Sequence, residues 1–248
     1  MKHAVQLYNF REELKQDFRG SLKEIAKLGF DGVEFASFYG GVAPDELAAF
    51  LKELKLECAG TMFPAADLLD AGNIAYEYMN KLHSPAVTIS ASCDFTQEWA
   101  NVAENCRKIG RNAKQNGGLF SYHNHWKEFA LVDGVPAMDK ILESTDASEV
   151  FMEPDVCWIT RGGFKPAEFI RRYAGRIRQM HLKDSKVPEE REQLTELGCG
   201  VVDLKGAYQA ALEAGVQWAI YEQDVCSDTF RSAEISLKYM QKLKEGKI

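Results

Sequence analysis

The chain has 248 residues, 46% hydrophobic and 27% charged, which is enough apolar content for one large core and too much for a disordered chain. Lys and Arg number 30 against 37 Asp and Glu, a formal net charge of −7, and no basic stripe of the kind that grips phosphate backbones is present, so nucleic acid is not an expected partner. No apolar run reaches the roughly 18–20 residues of a membrane span, the Met1–Leu7 start lacks the apolar stretch of a secretory leader, and the six cysteines form no CxxC pair, so a cytoplasmic protein with free thiols is expected.

A strand–helix unit takes roughly 30 residues, and eight such units fill the chain. Short, mostly apolar runs mark eight strands in order: His3–Tyr8, Gly32–Phe35, Glu57–Thr61, Ala86–Ser90, Phe120–His123, Val150–Asp155, Ile177–Leu182 and Trp218–Gln223. Apolar runs suit parallel strands covered on both faces. Between them lie helices of period 3.6, with Phe18, Leu22, Ile25 and Ala26 on one face and Leu47, Phe50, Leu51 and Leu54 on another. Gly29, Gly117, Gly175 and Gly215 each stand shortly before a strand, where a helix end needs the left-handed backbone that glycine adopts cheaply. No linker divides the chain. The expected fold is α/β, a single-domain (β/α)₈ TIM barrel over residues 1–248, with a doubly wound open sheet as the competitor. No G-x-G-x-x-G follows the first strand, which weakens a nucleotide-binding reading.

Barrel chemistry collects at strand C-termini, and there the ionisable residues gather. Strand two ends with Glu34, strand five with His123-Asn124-His125, and strand six with Glu153-Pro154-Asp155. Strand seven carries His181, Lys183 and Asp184, and strand eight ends with Glu222-Gln223-Asp224. Alternate strand residues face the same way, so these side chains can form a His/Asp/His/Glu cluster in the barrel mouth. Two imidazoles and two carboxylates suit Mn²⁺, Fe²⁺, Co²⁺ or Zn²⁺. Each residue also has a plainer explanation. A strand-end His is often only a hydrogen-bonded structural residue, Glu34 can pair with a lysine, Glu153 can brace its own loop, and Asp184 can be a turn residue. Lys183 can orient a hydroxyl, protonate a leaving oxygen, or simply form a salt bridge to Asp184 or Glu153. Trp158 can be wall packing. His3 and His83 lie away from the expected mouth.

Five segments together resemble the sugar phosphate isomerase/epimerase family, the xylose isomerase-like barrels related to inosose dehydratase and ketose 3-epimerases. They are Gln6-Leu-Tyr8 with Gly32-Val-Glu-Phe35, Tyr122-His-Asn-His125 with Glu128-Phe129, Asp155-Val-Cys-Trp158 with Gly162-Gly163, Tyr173–Ile177 with His181-Leu-Lys-Asp184, and Gly198–Asp203 with Trp218–Asp224. The resemblance covers nearly the whole chain. It implies one divalent metal, Mn²⁺ first and Co²⁺, Zn²⁺, Fe²⁺ or Mg²⁺ as alternatives, held by the residue ending strand five and by Asp155, His181 and Glu222. His123 falls at the strand-five position, with His125 as the alternative. It further implies a sugar isomerase or epimerase working through an enediolate, with Glu222, His125 and Lys183 catalytic and Tyr8, Glu34, Glu128 and Trp158 contacting substrate. Ketose 3-epimerases carry a glutamate where His123 stands here. That departure keeps a lyase, an inosose-type dehydratase or a 3-keto-glycoside eliminating enzyme, as the alternative, with a non-catalytic sugar-binding barrel third. No phosphate loop stands out, so a free sugar is the expected substrate. The loop from Ser185 to Gly200 is long for a βα connection and is expected to be a lid, a subunit contact or simply solvated, which leaves a homo-oligomer open.

Overall fold

A computed structural model of the protein describes residues 1–248. Eight parallel strands form one sheet: β1 (Lys2–Gln6), β2 (Gly32–Ala36), β3 (Glu57–Met62), β4 (Val87–Ile89), β5 (Phe120–His123), β6 (Val150–Glu153), β7 (Gln179–Leu182) and β8 (Trp218–Tyr221). Their order around the sheet is β6-β5-β4-β3-β2-β1-β8-β7. Between β6 and β7 the ladder thins to two parallel bridges, Met152 with Ile177 and Asp155 with His181, and these close the barrel. The Arg176 guanidinium reinforces the seam, donating from Nε and Nη2 to the Val150 carbonyl at 3.0 and 2.7 Å.

Alternation along the strands divides the side chains into two populations. Val5, Val33, Val87, Tyr122, Met152, Met180, Leu182 and Tyr221 join the main core between sheet and helices. The alternate residues turn inward. Ala4, Ala59, Trp218 and Ile220 make a small separate apolar plug. Toward the strand C-termini the inward layer is polar and buried: Gln6, Glu34, His123, Glu153 and His181. Such a layer is costly to bury without partners, and it is the floor of the site.

Strand ends depart from the sequence expectation by one or two residues, for local reasons. β1 stops at Gln6, not Tyr8, because the Tyr8 N–H turns back to donate to Gln6 Oε1 at 3.0 Å and opens a 3₁₀ turn, Leu7–Phe10. β6 stops at Glu153 because Asp155 caps the helix Val156–Arg161. The loop after β7 is tied down at both ends, while residues 189–192 at its tip are exposed to solvent. Asp184–Ser185 pairs antiparallel with Leu194–Thr195. The buried Asp184 carboxylate accepts the backbone N–H groups of Ser185, Gly198, Gly200 and Val202. All six cysteines are free. No helix is long and apolar enough to cross a membrane.

Candidate metal centre and active site

Four residues from four strand ends converge. One ligand atom each from His123, Asp155, His181 and Glu222 lies within 4.8 Å of the others. Each is held by a different local device. Asp155 spends Oδ1 on its helix cap, accepting the Cys157 and Trp158 N–H groups at 2.9 and 3.0 Å, so Oδ2 is the oxygen left for the site. Its own N–H donates to Asn124 Oδ1 at 3.1 Å. His181 sits between carboxylates: Nδ1 is 2.9 Å from Glu222 Oε2, and Nε2 is 2.6 Å from Glu34 Oε2 and 3.1 Å from Glu153 Oε1. Gln6 Nε2 donates to Glu34 Oε2 at 2.7 Å. Gly60 makes room, since a Cβ there would overlap Glu34 Oε1. Lys183 Nζ lies 2.8 Å from Glu222 Oε2, 3.0 Å from Asp155 Oδ2 and 3.3 Å from Asp224 Oδ2.

Burial and pairing set the charges. Burial pushes the Glu34 carboxyl well above the usual range, and the neighbouring Glu153 adds to the effect. Burial would also raise Glu153, but the His181 charge outweighs it and holds that carboxyl down to about 2. The pair therefore shares one proton beneath His181. Burial opposes charge on His181, yet Glu34, Glu153 and Glu222 together raise it well above its ordinary value. Glu222 is likewise resisted by burial and kept ionised by Lys183 and His181. His123 has no such partners. Burial, with the His181 charge added, lowers it to about 3, so its imidazole is neutral.

A cavity of about 510 Å³ opens above this floor, with His123, His125, Glu222 and Asp224 in its lining and Tyr8 and Trp158 as walls. A family model for xylose isomerase-like TIM barrels matches residues 22–243, the span that supplies every strand end of the site except β1. The chain belongs to the xylose isomerase-like TIM barrel family. Within it, an inosose dehydratase of Clostridium botulinum is 23% identical over 92% of this chain and 89% of its own. A sugar phosphate isomerase/epimerase from Parabacteroides distasonis superimposes with a TM-score of 0.82 at 20% identity, covering 97% of this chain and 93% of its own. The D-psicose 3-epimerase of Clostridium cellulolyticum gives 0.75 at 16% identity, over 98% and 99%.

The donor set of this family barrel fits a divalent cation. His123 is neutral, as a ligand must be, and its buried Nδ1 has no hydrogen-bond partner. Asp155 Oδ2 faces the cluster with the Lys183 ammonium, 3.0 Å away, as its polar neighbour. Glu34 and Glu153 hold the His181 Nε2 proton, so Nδ1, which now faces Glu222 at 2.9 Å, is the nitrogen that would give up its proton to an ion, with the carboxylate pair as the second layer that orients the ring.

Of the residues singled out in the sequence, the structure brings His123, Asp155, His181 and Glu222 together, puts Tyr8, Trp158 and His125 in the cavity lining and sets Lys183 beside Glu222 and Asp155. Glu34 and Glu128 are placed otherwise. Both are wholly buried and lie behind the cavity lining. Glu34 bonds His181. Glu128 accepts from the Tyr122 hydroxyl at 3.0 Å and lies 4.0 Å from His125 Nδ1, with burial raising its carboxyl to about 7. Trp126 and Arg191 line the cavity and escaped sequence reasoning. Trp126 directly follows the His-Asn-His segment and was open to notice, whereas nothing local marks Arg191.

Proposed function

We propose that this chain is a divalent-metal-dependent enzyme that moves a proton beside the carbonyl of an unphosphorylated sugar, with isomerisation or epimerisation as the outcome. The observation that carries the reading is the convergence of His123, Asp155, His181 and Glu222 within 4.8 Å at the floor of a cavity large enough for a monosaccharide. When bound, the ion supplies Lewis acidity that makes the C–H next to a substrate carbonyl easier to deprotonate.

The chain's own residues do the rest. Glu222 faces the cavity as a carboxylate and accepts the proton. His125, kept neutral because burial and neighbouring His123 lower it to about 3, lines the cavity just past β5 and offers a hydrogen bond to a substrate oxygen. Lys183, charged and buried, holds the Glu222 and Asp155 carboxylates in place while no ion is bound. Tyr8 and Trp158 pack against the sugar and exclude water. Phosphate groups are commonly held by free N–H groups at helix N-termini. Here Asp17, Asp94, Asp155, Asp203 and Asp228 occupy those N–H groups on five helices that follow barrel strands, which supports a free sugar.

A second reading, dehydration, has an observation behind it. The Clostridium botulinum relative aligned over most of this chain is an inosose dehydratase, and His123 stands where a symmetric two-glutamate epimerase needs a carboxylate. Both readings share the first proton transfer. The test is metal analysis of the purified protein together with Glu222→Gln. One equivalent of divalent metal, and at least about a 10²-fold loss of turnover in the variant, are expected. No stoichiometric metal and an unchanged variant overturn the proposal.

A further inference from the structure

Lys183 occupies the ground a cation would take. Its ammonium is 2.8 Å from Glu222 Oε2 and 3.0 Å from Asp155 Oδ2. Asp155 has no second oxygen to offer, because Oδ1 is committed to the helix cap. The lysine is 1% exposed and has the Trp158 ring at 4.6 Å on one side, so it has no direct route to solvent. One carboxylate within reach lies outside the four-ligand set. It is Asp224, whose Oδ2 is 3.3 Å from Lys183 Nζ. Arg191 approaches that same oxygen from the cavity rim at 3.8 Å.

We infer that Lys183 and Asp224 form a counter-ion device that sets the cation affinity of the site. Lys183 holds the carboxylate oxygens that a divalent ion needs, and Asp224 receives the ammonium when the ion enters. Asp155, Glu222 and Asp224 all lie within 3.3 Å of the Lys183 ammonium, so the lysine can give up the two ligand oxygens and still keep a carboxylate partner. A neutral residue at 183 leaves all three carboxylates for the ion. A neutral residue at 224 leaves Lys183 bound to the ligand oxygens alone. The inference rests on the proposed metal centre, and it concerns affinity, not turnover.

The experiment is chelator-competition titration of the metal-stripped full chain with Mn²⁺ alone, for the wild type, Lys183→Met, Lys183→Gln and Asp224→Asn. The lysine variants are expected to bind Mn²⁺ about tenfold tighter and Asp224→Asn about tenfold weaker. Thermal unfolding provides a second readout. Without metal, the lysine variants are expected to melt about 10 °C lower than wild type, because buried carboxylates lose their partner, and saturating Mn²⁺ is expected to raise their melting point more than it raises that of wild type. Lysine variants that fold yet bind Mn²⁺ no tighter than wild type overturn the inference. So does unchanged affinity in Asp224→Asn, which holds even where both lysine variants fail to fold. Absence of Mn²⁺ binding in every protein, wild type included, overturns the metal centre itself and the inference with it.

Discussion

Asp155 and His3 show how a single side chain's surroundings decide its state. Asp155 divides its two oxygens between a helix cap and the site, so one residue ends β6, starts a helix and offers a candidate ligand oxygen. His3, at the opposite end of the barrel, has no role in the chemistry. Its Nε2 lies 2.9 Å from the Tyr208 hydroxyl, and burial, aided by the Lys244 charge, lowers it to about 4. The folded state therefore resists the proton that the unfolded chain accepts near pH 6.5. Between pH 6.5 and 4 the unfolded state binds more protons, so stability falls as pH falls through that window. His3 should contribute about 2 kcal/mol of that loss between pH 7 and 4.5. Urea titrations of wild type and His3→Gln at the two pH values check this. A variant that loses as much stability as wild type would show that His3 titrates normally in the fold.

The loop after β7 illustrates the scale of elements. Its length is plain from the sequence, but its order is not, because the order depends on one carboxylate reaching backbone groups up to 18 residues away. Asp184 accepts four N–H groups, and Leu194 and Leu197 bury the loop's apolar side. Removal of those acceptors by Asp184→Ala should cost about 3 kcal/mol and expose the 185–202 segment to proteolysis. Limited digestion, with urea unfolding alongside, measures both. A digestion rate equal to wild type would mean that the loop is held by something else. Gly29, Gly117 and Gly215 take the left-handed backbone expected before β2, β5 and β8, whereas Gly175 lies inside the 3₁₀ turn Ala174–Arg176 that leads to β7. β3 carries a subtler feature, an irregularity opposite Val33 and Glu34. It sets Gly60 beside the Glu34 carboxyl, and it has no signature in a single sequence because its purpose lies on the neighbouring strand.

At the scale of the whole molecule, eight repeats of a short apolar run and an amphipathic helix were enough to fix the barrel. Strand alternation turns His123, Asp155, His181 and Glu222 inward together with other ionisable residues, and the family resemblance singled out these four as candidate ligands. The supporting layer was not legible in this way. Glu34 and His181 are 147 residues apart, and whether Glu34 meets substrate or meets His181 depends on how deep in the barrel each strand end sits. Side-chain depth comes from packing across the barrel, not from spacing along the chain. The same holds for Glu128, which the sequence marks as chemical and the fold buries behind Tyr122. What emerges is a closed barrel with a small apolar plug below, a polar layer in its upper half and one cavity above the candidate ligands. The central claim is that a metal held there lets Glu222 exchange a proton beside a sugar carbonyl. Solvent deuterium incorporation tests this most directly, with Mn²⁺-loaded and chelator-stripped protein incubated in D₂O with unphosphorylated ketoses and inososes. Deuterium beside the carbonyl, in recovered substrate, an epimer or a dehydrated product, is expected from the loaded protein and is expected to vanish on stripping. No incorporation into any of these by the loaded protein, or incorporation undiminished after stripping, would contradict it.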